Sequence, residues 1–323
     1  MNVVATFLGI NSTREVGQAL ADGVINGSAY ALLGMAWGLI YGVVRRFHFA
    51  LAFTYALAAF IASVVHDQSG FALAPAILVG LAVSVLAGVV IELGYQGLAR
   101  KVGAGALLPI FVISLGITIA GTNALQLIWG LGTRTLTSFS NSSISIGSVT
   151  FTSLELSLVI VAIVFAAATA ALVAWTPFGR QMKAVRSNAE MATAVGINPN
   201  RIYLYVFAIA SLLAGVAAIY DGMRFAVSAD MGQQPLFYAL VVSFLVGSAR
   251  TPLLIWASGI FVGLVESVST LWLSTHYSTV VVFGLLLLFV SWRSVQVGLG
   301  RYVQPLVDRL RPLGAIVKPG KTG

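Results

Sequence analysis

The stretch Thr176–Arg201, TPFGRQMKAVRSNAEMATAVGINPNR, is the one long polar and basic interruption in a chain that is otherwise apolar from Gly17 to Ser291. What flanks it fixes the fold class. Of 323 residues, 59% are hydrophobic and 9% charged, against about 25% charged in an ordinary soluble domain. The apolar runs read as spans at 17–43, 47–66, 72–99, 107–129, 153–175, 202–224, 236–250, 252–273 and 278–291. Most approach the roughly 20 residues that a helix needs to cross a bilayer core. The runs 236–250 and 278–291 fall short of it, so one of them reads as re-entrant or tilted, giving eight or nine crossings. The expected fold is all-α, a polytopic membrane bundle. No basic region precedes an apolar stretch before Arg14, so the first span is expected to stay in the membrane rather than to be cleaved as a signal.

Lys and Arg in short loops set the orientation. With the amino terminus outside, Arg14, Arg134 and Arg224 face outward and the other fifteen of the 18 basic residues face the cytoplasm. The net charge of +8 is thus a topology signal plus attraction to anionic membrane lipid, and basic residues scattered among loops make no nucleic-acid surface. With zero cysteines, disulfides and thiolate chemistry are excluded.

The membrane domain is read as residues 1–300, with a basic cytoplasmic tail at 301–323. The tail, broken by Pro305, Pro312 and Pro319, reads as a short surface helix around 301–311 and then disorder. The outer loop 130–152 alternates Ile144, Ile146, Val149 and Phe151 around Gly147, the pattern of a small β-hairpin, either touching a partner or simply connecting spans. In the first span Gly23, Gly27 and Ala31 recur every four residues, as do Gly34, Gly38 and Gly42; Gly259 and Gly263 form a second stripe. In lipid, small residues at this spacing let helix backbones approach closely. The first helix is therefore expected at the centre of the bundle.

No catalytic constellation is present. His48, His66 and His276 lie in separate segments, disfavouring a metal site, and no nucleophile elbow, zinc-binding pair or paired-carboxylate spacing occurs. The tail GAIVKPGKTG spaces its glycines one residue too far apart for a phosphate loop. Carboxylates within spans are costly and call for partners. Glu92 shares a helix face with Gln96 and Arg100, which predicts an interfacial ion pair. Glu266, past the middle of its span, should face the bundle interior toward Ser267 or Ser269, in a gating or a packing role. Asp221 and Asp230 with Arg224 read as a wet surface cluster.

The blocks GSAYALLGMAWGLIYGVVRRFHFA (27–50), IELGYQGLAR (91–100), ISLGITIAGTNAL (113–125), GRQMKAVRSNAEMATAVGIN (179–198) and AIASLLAGVAAIYDG (208–222) resemble, in the same order, those of the Liv-type permeases of bacterial branched-chain amino acid ABC importers. The resemblance extends from about residue 17 to 300. It implies an inner-membrane, multi-pass permease that pairs with a second, related permease and binds two cytoplasmic ATPases. It also implies a periplasmic or extracellular solute-binding protein that delivers the solute. ATP and Mg would be used by those ATPases, with no cofactor on this chain.

Within 176–201, Pro177 fits a helix start, Gln181 to Val195 reads as one helix, Gly196 fits its end, and Asn198-Pro199 prevents continuation. Met182, Val185, Ala189 and Ala192 share a face, with Lys183, Arg186 and Glu190 on another, a pattern suited to a protein groove more than to lipid. The resemblance makes this the ATPase-coupling segment, with Arg180, Lys183, Arg186, Glu190, Ala192 and Gly196 as its residues. Two regions depart from the family. Where it commonly reads INFAHGE, this chain has Phe47-His48-Phe49-Ala50-Leu51-Ala52-Phe53; where it carries a Lys and a GGIGS-like turn, this chain has Gln233-Gln234-Pro235-Leu236-Phe237-Tyr238 and Gly247-Ser248-Ala249-Arg250. Helix breaks are expected in both regions. Phe47, His48, Phe49, Phe53, Tyr55, Pro235, Phe237, Tyr238 and Glu266 are the candidates for the translocation path, core packing being the alternative for each ring.

The sequence therefore reads as a non-enzymatic ABC-importer permease for amino acids, branched-chain or similarly small and partly apolar. The alternative is an ion- or proton-coupled secondary transporter with Glu266 as the coupling site.

Overall fold

Proline placement organises the bundle. In the computed structural model, which describes residues 13–136, 142–147, 149–246, 251–273, 277–289 and 291–292, every described proline lies in the first turn of a helix. There its missing N–H costs nothing, because the first four N–H groups have no intrahelical partner. The helices are α1 (Thr13–Val44), α2 (Leu51–Ser69), α3 (Leu73–Val102), α4 (Leu107–Trp129), α5 (Ser153–Trp175), α6 (Pro177–Ser187), α7 (Ala189–Ala194), α8 (Pro199–Arg224), α9 (Gln233–Val246) and α10 (Pro252–Ser269). A shorter apolar helix, α11, spans Tyr277–Phe289. Seven of these are long and apolar enough to cross a membrane. The chain divides into two compact units, Met1–Val282 and Phe283–Gly323. The expected domain edge at 300 and the tail helix lie outside the described residues.

α1 is the centre of the bundle, as its glycines predict. It packs against α5, α8, α9 and α10. A Cβ added at Gly27 would lie 2.7 Å from the Ile260 Cα, and one at Gly23 would lie 2.8 Å from the Leu264 Cα. From the other side, Gly259 meets the Ala31 backbone and Gly263 meets Gly23 and Gly27. The two stripes thus bring α1 and α10 together backbone to backbone. α2, α3 and α8 pack on one another, with Ser84 of α3 donating to the Thr54 carbonyl at 2.8 Å.

Outside the membrane, β1 (Ser143–Ile146) pairs antiparallel with β2 (Val149–Thr152), and Gly147 has φ +63, so the expected hairpin is present. Gln18 of α1 clasps the Thr150 backbone at 2.9 and 3.0 Å. Thr152 and Glu155 form a capping box that starts α5.

Several boundaries differ from expectation. α2 begins at Leu51 rather than 47, because Arg45 adopts a left-handed φ of 56 and the next five residues run non-helically. α10 ends at Ser269 rather than 273; Ser269 and Thr270 hydroxyls bond back to the Glu266 and Ser267 carbonyls at 2.6 and 2.7 Å, local bonds that compete with helix continuation. α9 has 14 residues, about 21 Å of helix, short of the roughly 30 Å hydrocarbon core. The break before it is the stretch 225–232, where Val227 pairs with Arg134 at 2.8 Å in both directions. Pro235 sits inside the first turn of α9, after this break rather than at it.

Candidate functional site

The segment 176–201 is built by caps. Thr176 accepts from the Gly179 N–H at 3.1 Å, Asn188 accepts from the Glu190 and Met191 N–H groups, each at 3.0 Å, and Asn198 accepts from Asn200 at 3.0 Å. Gly196 has φ +84, the left-handed turn that glycine adopts without strain. The expected single helix 181–195 is two helices, because Asn188 is extended (φ -156) and caps α7 instead of continuing α6. Its apolar face is also turned inward: Met182, Val185 and Ala192 are buried within this chain, with Ala189 half-buried, while Met191 (68% exposed) and Val195 (74%) are open. Arg180, Lys183, Glu190 and Gly196 are exposed on the same segment and Arg186 is half-buried.

Next to it lies the break between α1 and α2. Arg45 donates to the Arg186 carbonyl at 3.4 Å. Backbone at membrane depth needs internal partners; here α4 supplies hydroxyls, Ser114 to the Phe49 N–H (3.2 Å) and the Phe47 carbonyl (3.4 Å), and Thr118 to the Phe49 carbonyl (3.0 Å). Arg46 donates to both oxygens of Glu92 at 2.9 Å, and Gln96 bridges Glu92 to the Asn200 carbonyl at 3.1 and 2.9 Å. Glu92 therefore pairs with Arg46, 46 residues away, and not with Arg100. Its side chain is fully buried, and a bidentate guanidinium is the geometry that satisfies such a charge.

At the opposite end of α8, lined also by the middle of α1 and by α9 and α10, is a cavity of about 340 Å³. Asn26 and Tyr30 of α1, Asp221 and Arg224 of α8, Tyr238 of α9 and Glu266 of α10 all line it. Tyr30 and Tyr238 stack at 4.5 Å. Tyr238 donates to Glu266 Oε1 at 2.8 Å and meets the Thr279 hydroxyl at 3.0 Å. The Glu266 partner is thus a tyrosine of another helix, not Ser267 or Ser269. Asp221 accepts from the Tyr55 hydroxyl, and Arg224 donates to Asn26 at 3.0 Å and to Glu155 at 3.3 Å. The expected wet cluster therefore separates: Asp221 and Arg224 belong to the cavity, and Asp230 bonds Ser228 at the surface.

The predicted path residues fall in several places. Tyr238, Pro235 and Glu266 line the cavity, and Tyr55 reaches it through Asp221. Phe47 and Phe49 join Phe111 in an aromatic group at the cytoplasmic side, with centroids at 6.4 and 5.4 Å. His48, fully buried, meets Tyr95 at 3.2 Å. Phe53 packs its ring on Gly121 of α4, and Phe237 is exposed. Asn26, Tyr30, Asp221, Arg224 and Gln234 supply further polar groups of the cavity lining and are not among the predicted path residues. One signal was available: Asn26 and Tyr30 are four apart in an apolar helix and so share a face.

Against known proteins, the family model described as branched-chain amino acid transport system, permease component, matches residues 19–291. The chain belongs to this permease family. The high-affinity branched-chain amino acid transport system permease protein LivH of Escherichia coli K12 is 27% identical to the permease over 285 residues, 84% of this chain and 91% of LivH. LivH of Salmonella typhimurium is 25% identical over the same length, and BraD of Pseudomonas aeruginosa is 25% identical over 296 residues, 88% of this chain and 95% of BraD. No solved structure matches the permease. The permease is the multi-pass inner-membrane subunit of an ABC importer, a family that works with ATPase and solute-binding partners. Membership sets aside the secondary-transporter alternative.

Proposed function

We propose that this permease carries branched-chain amino acids, or similarly small and partly apolar solutes, through alternating exposure of the outer cavity to the two sides of the membrane. It does so paired with a second, related permease, on two ATPases that bind the ATP and Mg, and with solute delivered by a binding protein. This chain performs no hydrolysis itself. The observation that carries the reading is the placement of two features at opposite ends of one helix: α8 starts at the capped segment α6–α7 with Met191 and Val195 exposed, and ends at the cavity with Asp221 and Arg224. A displacement of α6–α7 by a bound ATPase is transmitted along α8 and, through the Arg45–Arg186 contact, to the break before α2. The LivH and BraD names support the solute class.

Proteoliposomes holding the permease with its partner permease, ATPases and binding protein test this. Leucine, isoleucine or valine should accumulate only with internal or external ATP on the ATPase side, and a proton gradient without ATP should give nothing. Uptake driven by the gradient alone would overturn it.

A further inference from the structure

Among the described residues, six buried side-chain polar atoms lack a hydrogen-bond partner, and Glu266 Oε2 is the one carboxylate oxygen among them. Oε1 accepts from Tyr238 at 2.8 Å, while Oε2 is buried and has no donor in full hydrogen-bond geometry among the described residues, the Tyr30 phenol standing beside the same carboxylate as its nearest candidate. A carboxylate oxygen held from water without a donor is costly, and more so at membrane depth, so it is kept where something else supplies the donor. The cavity beside it has an acidic excess. Among the described lining residues Asp221 and Glu266 stand against one cation, Arg224, and that cation is already answered by Glu155 at 3.3 Å from outside the lining. An added positive group completes both the hydrogen bonding and the charge. Arg224 is only partly used: its guanidinium has five N–H donors, and bonds to Asn26 and Glu155 leave donors for an anion. The wall beside these charges is the flat, stacked pair of Tyr30 and Tyr238 with Phe225 and Met231.

We propose that this cavity is a solute-binding site of the permease itself, in which Glu266 receives an ammonium group, Arg224 receives a carboxylate, and the Tyr30–Tyr238 stack covers an apolar side chain. The proposal rests on the transport reading above and deepens it. The acidic excess makes the ammonium the dominant determinant. An amine lacking a carboxylate therefore binds better than a carboxylate lacking an amine of the same carbon skeleton.

The test uses the purified complex of permeases and ATPases, without binding protein, and titration with three probes: L-leucine, isoamylamine (the same skeleton without the carboxylate) and isocaproate (the same skeleton without the amine). In the wild type isoamylamine should bind more tightly than isocaproate. Glu266→Gln, which keeps the shape and the Tyr238 partner, should weaken L-leucine and isoamylamine by about 10- to 100-fold, the range for losing a charged hydrogen-bond partner, and leave isocaproate unchanged or tighter. Isocaproate binding as well as isoamylamine in the wild type overturns the proposal, and this comparison holds even if the variant does not fold. So does a folded Glu266→Gln complex with unchanged amine binding, or a wild type that binds none of the three. ATP-driven uptake separates the two readings. Leucine uptake with no binding preference removes only the site, whereas amine-selective binding without uptake of any branched-chain amino acid removes only the transport assignment.

Discussion

Gly27→Ala tests whether the α1–α10 contact organises the bundle. The added Cβ would sit 2.7 Å from the Ile260 Cα and 2.8 Å from the Gly259 carbonyl oxygen, whereas carbon contacts are comfortable at about 3.5–4.0 Å. Both neighbours are backbone and cannot rotate away. The helices must therefore separate by about 1 Å, a gap at which each facing pair forfeits a quarter to a half of its dispersion energy. Overpacking of this kind costs about 1–3 kcal/mol. The higher helix propensity of alanine returns up to about 1 kcal/mol. Gly94→Ala is the matched control: nothing lies within 4 Å of its Cβ position on α3, so only the propensity gain applies. Reversible unfolding in mixed micelles should place Gly27→Ala about 1–3 kcal/mol below Gly94→Ala. Because a Cβ at Gly263 would meet Gly27 itself, the double variant Gly27→Ala/Gly263→Ala should cost less than the sum, the first change having already opened the interface. Equal stability of Gly27→Ala and Gly94→Ala would refute close packing as the role of the stripe.

Glu92→Leu leaves the Arg46 guanidinium, which lies 5.5 Å from the Tyr203 ring centroid, charged without its carboxylate and should cost about 3–5 kcal/mol, while Arg46→Met/Glu92→Leu should recover most of it; equal melting of single and double variants argues against a buried pair. Asn188→Ala removes the cap on the Glu190 and Met191 N–H groups and should destabilise by about 1 kcal/mol. Met191→Asp should leave the melt unchanged and lower ATP-driven uptake at least tenfold, through the about 1.4 kcal/mol or more lost at an apolar contact; uptake at the wild-type rate would remove Met191 from the coupling face. Tyr238→Leu, which loses both the Tyr30 stack and the Glu266 bond, should change the order in which amino acids compete for uptake. Phe53→Leu, whose ring lies on Gly121, should lower the melting temperature alone, and the reverse pattern would move the path to the α2–α4 side.

What the sequence determined by itself is everything set within one helix turn or one bilayer thickness. Apolar length marked the spans, Pro177 marked the start of α6, and Gly147 and Gly196 took the left-handed backbone their turns require. Small residues every four positions marked α1 and α10 as packing helices, since only they permit backbone contact in lipid. Interior and exterior of a membrane bundle are both apolar, however, so the long spans carry little amphipathic signal. Only a short extramembrane helix such as α6 displays its buried face openly, and even there the face that reads as a docking surface is packed against the chain's own helices. Spacing places Glu92, Glu266 and Asp221 on a face of their own helix and says nothing of which helix lies opposite. Tertiary structure decided that Glu92 meets Arg46 across 46 residues, that Asp221 meets Tyr55, and that Glu266 meets Tyr238. A charge in low dielectric is stabilised by whichever donor the packing of whole helices delivers within about 3 Å, and here that donor comes from a separate segment each time: the break before α2 for Glu92, α2 for Asp221 and α9 for Glu266.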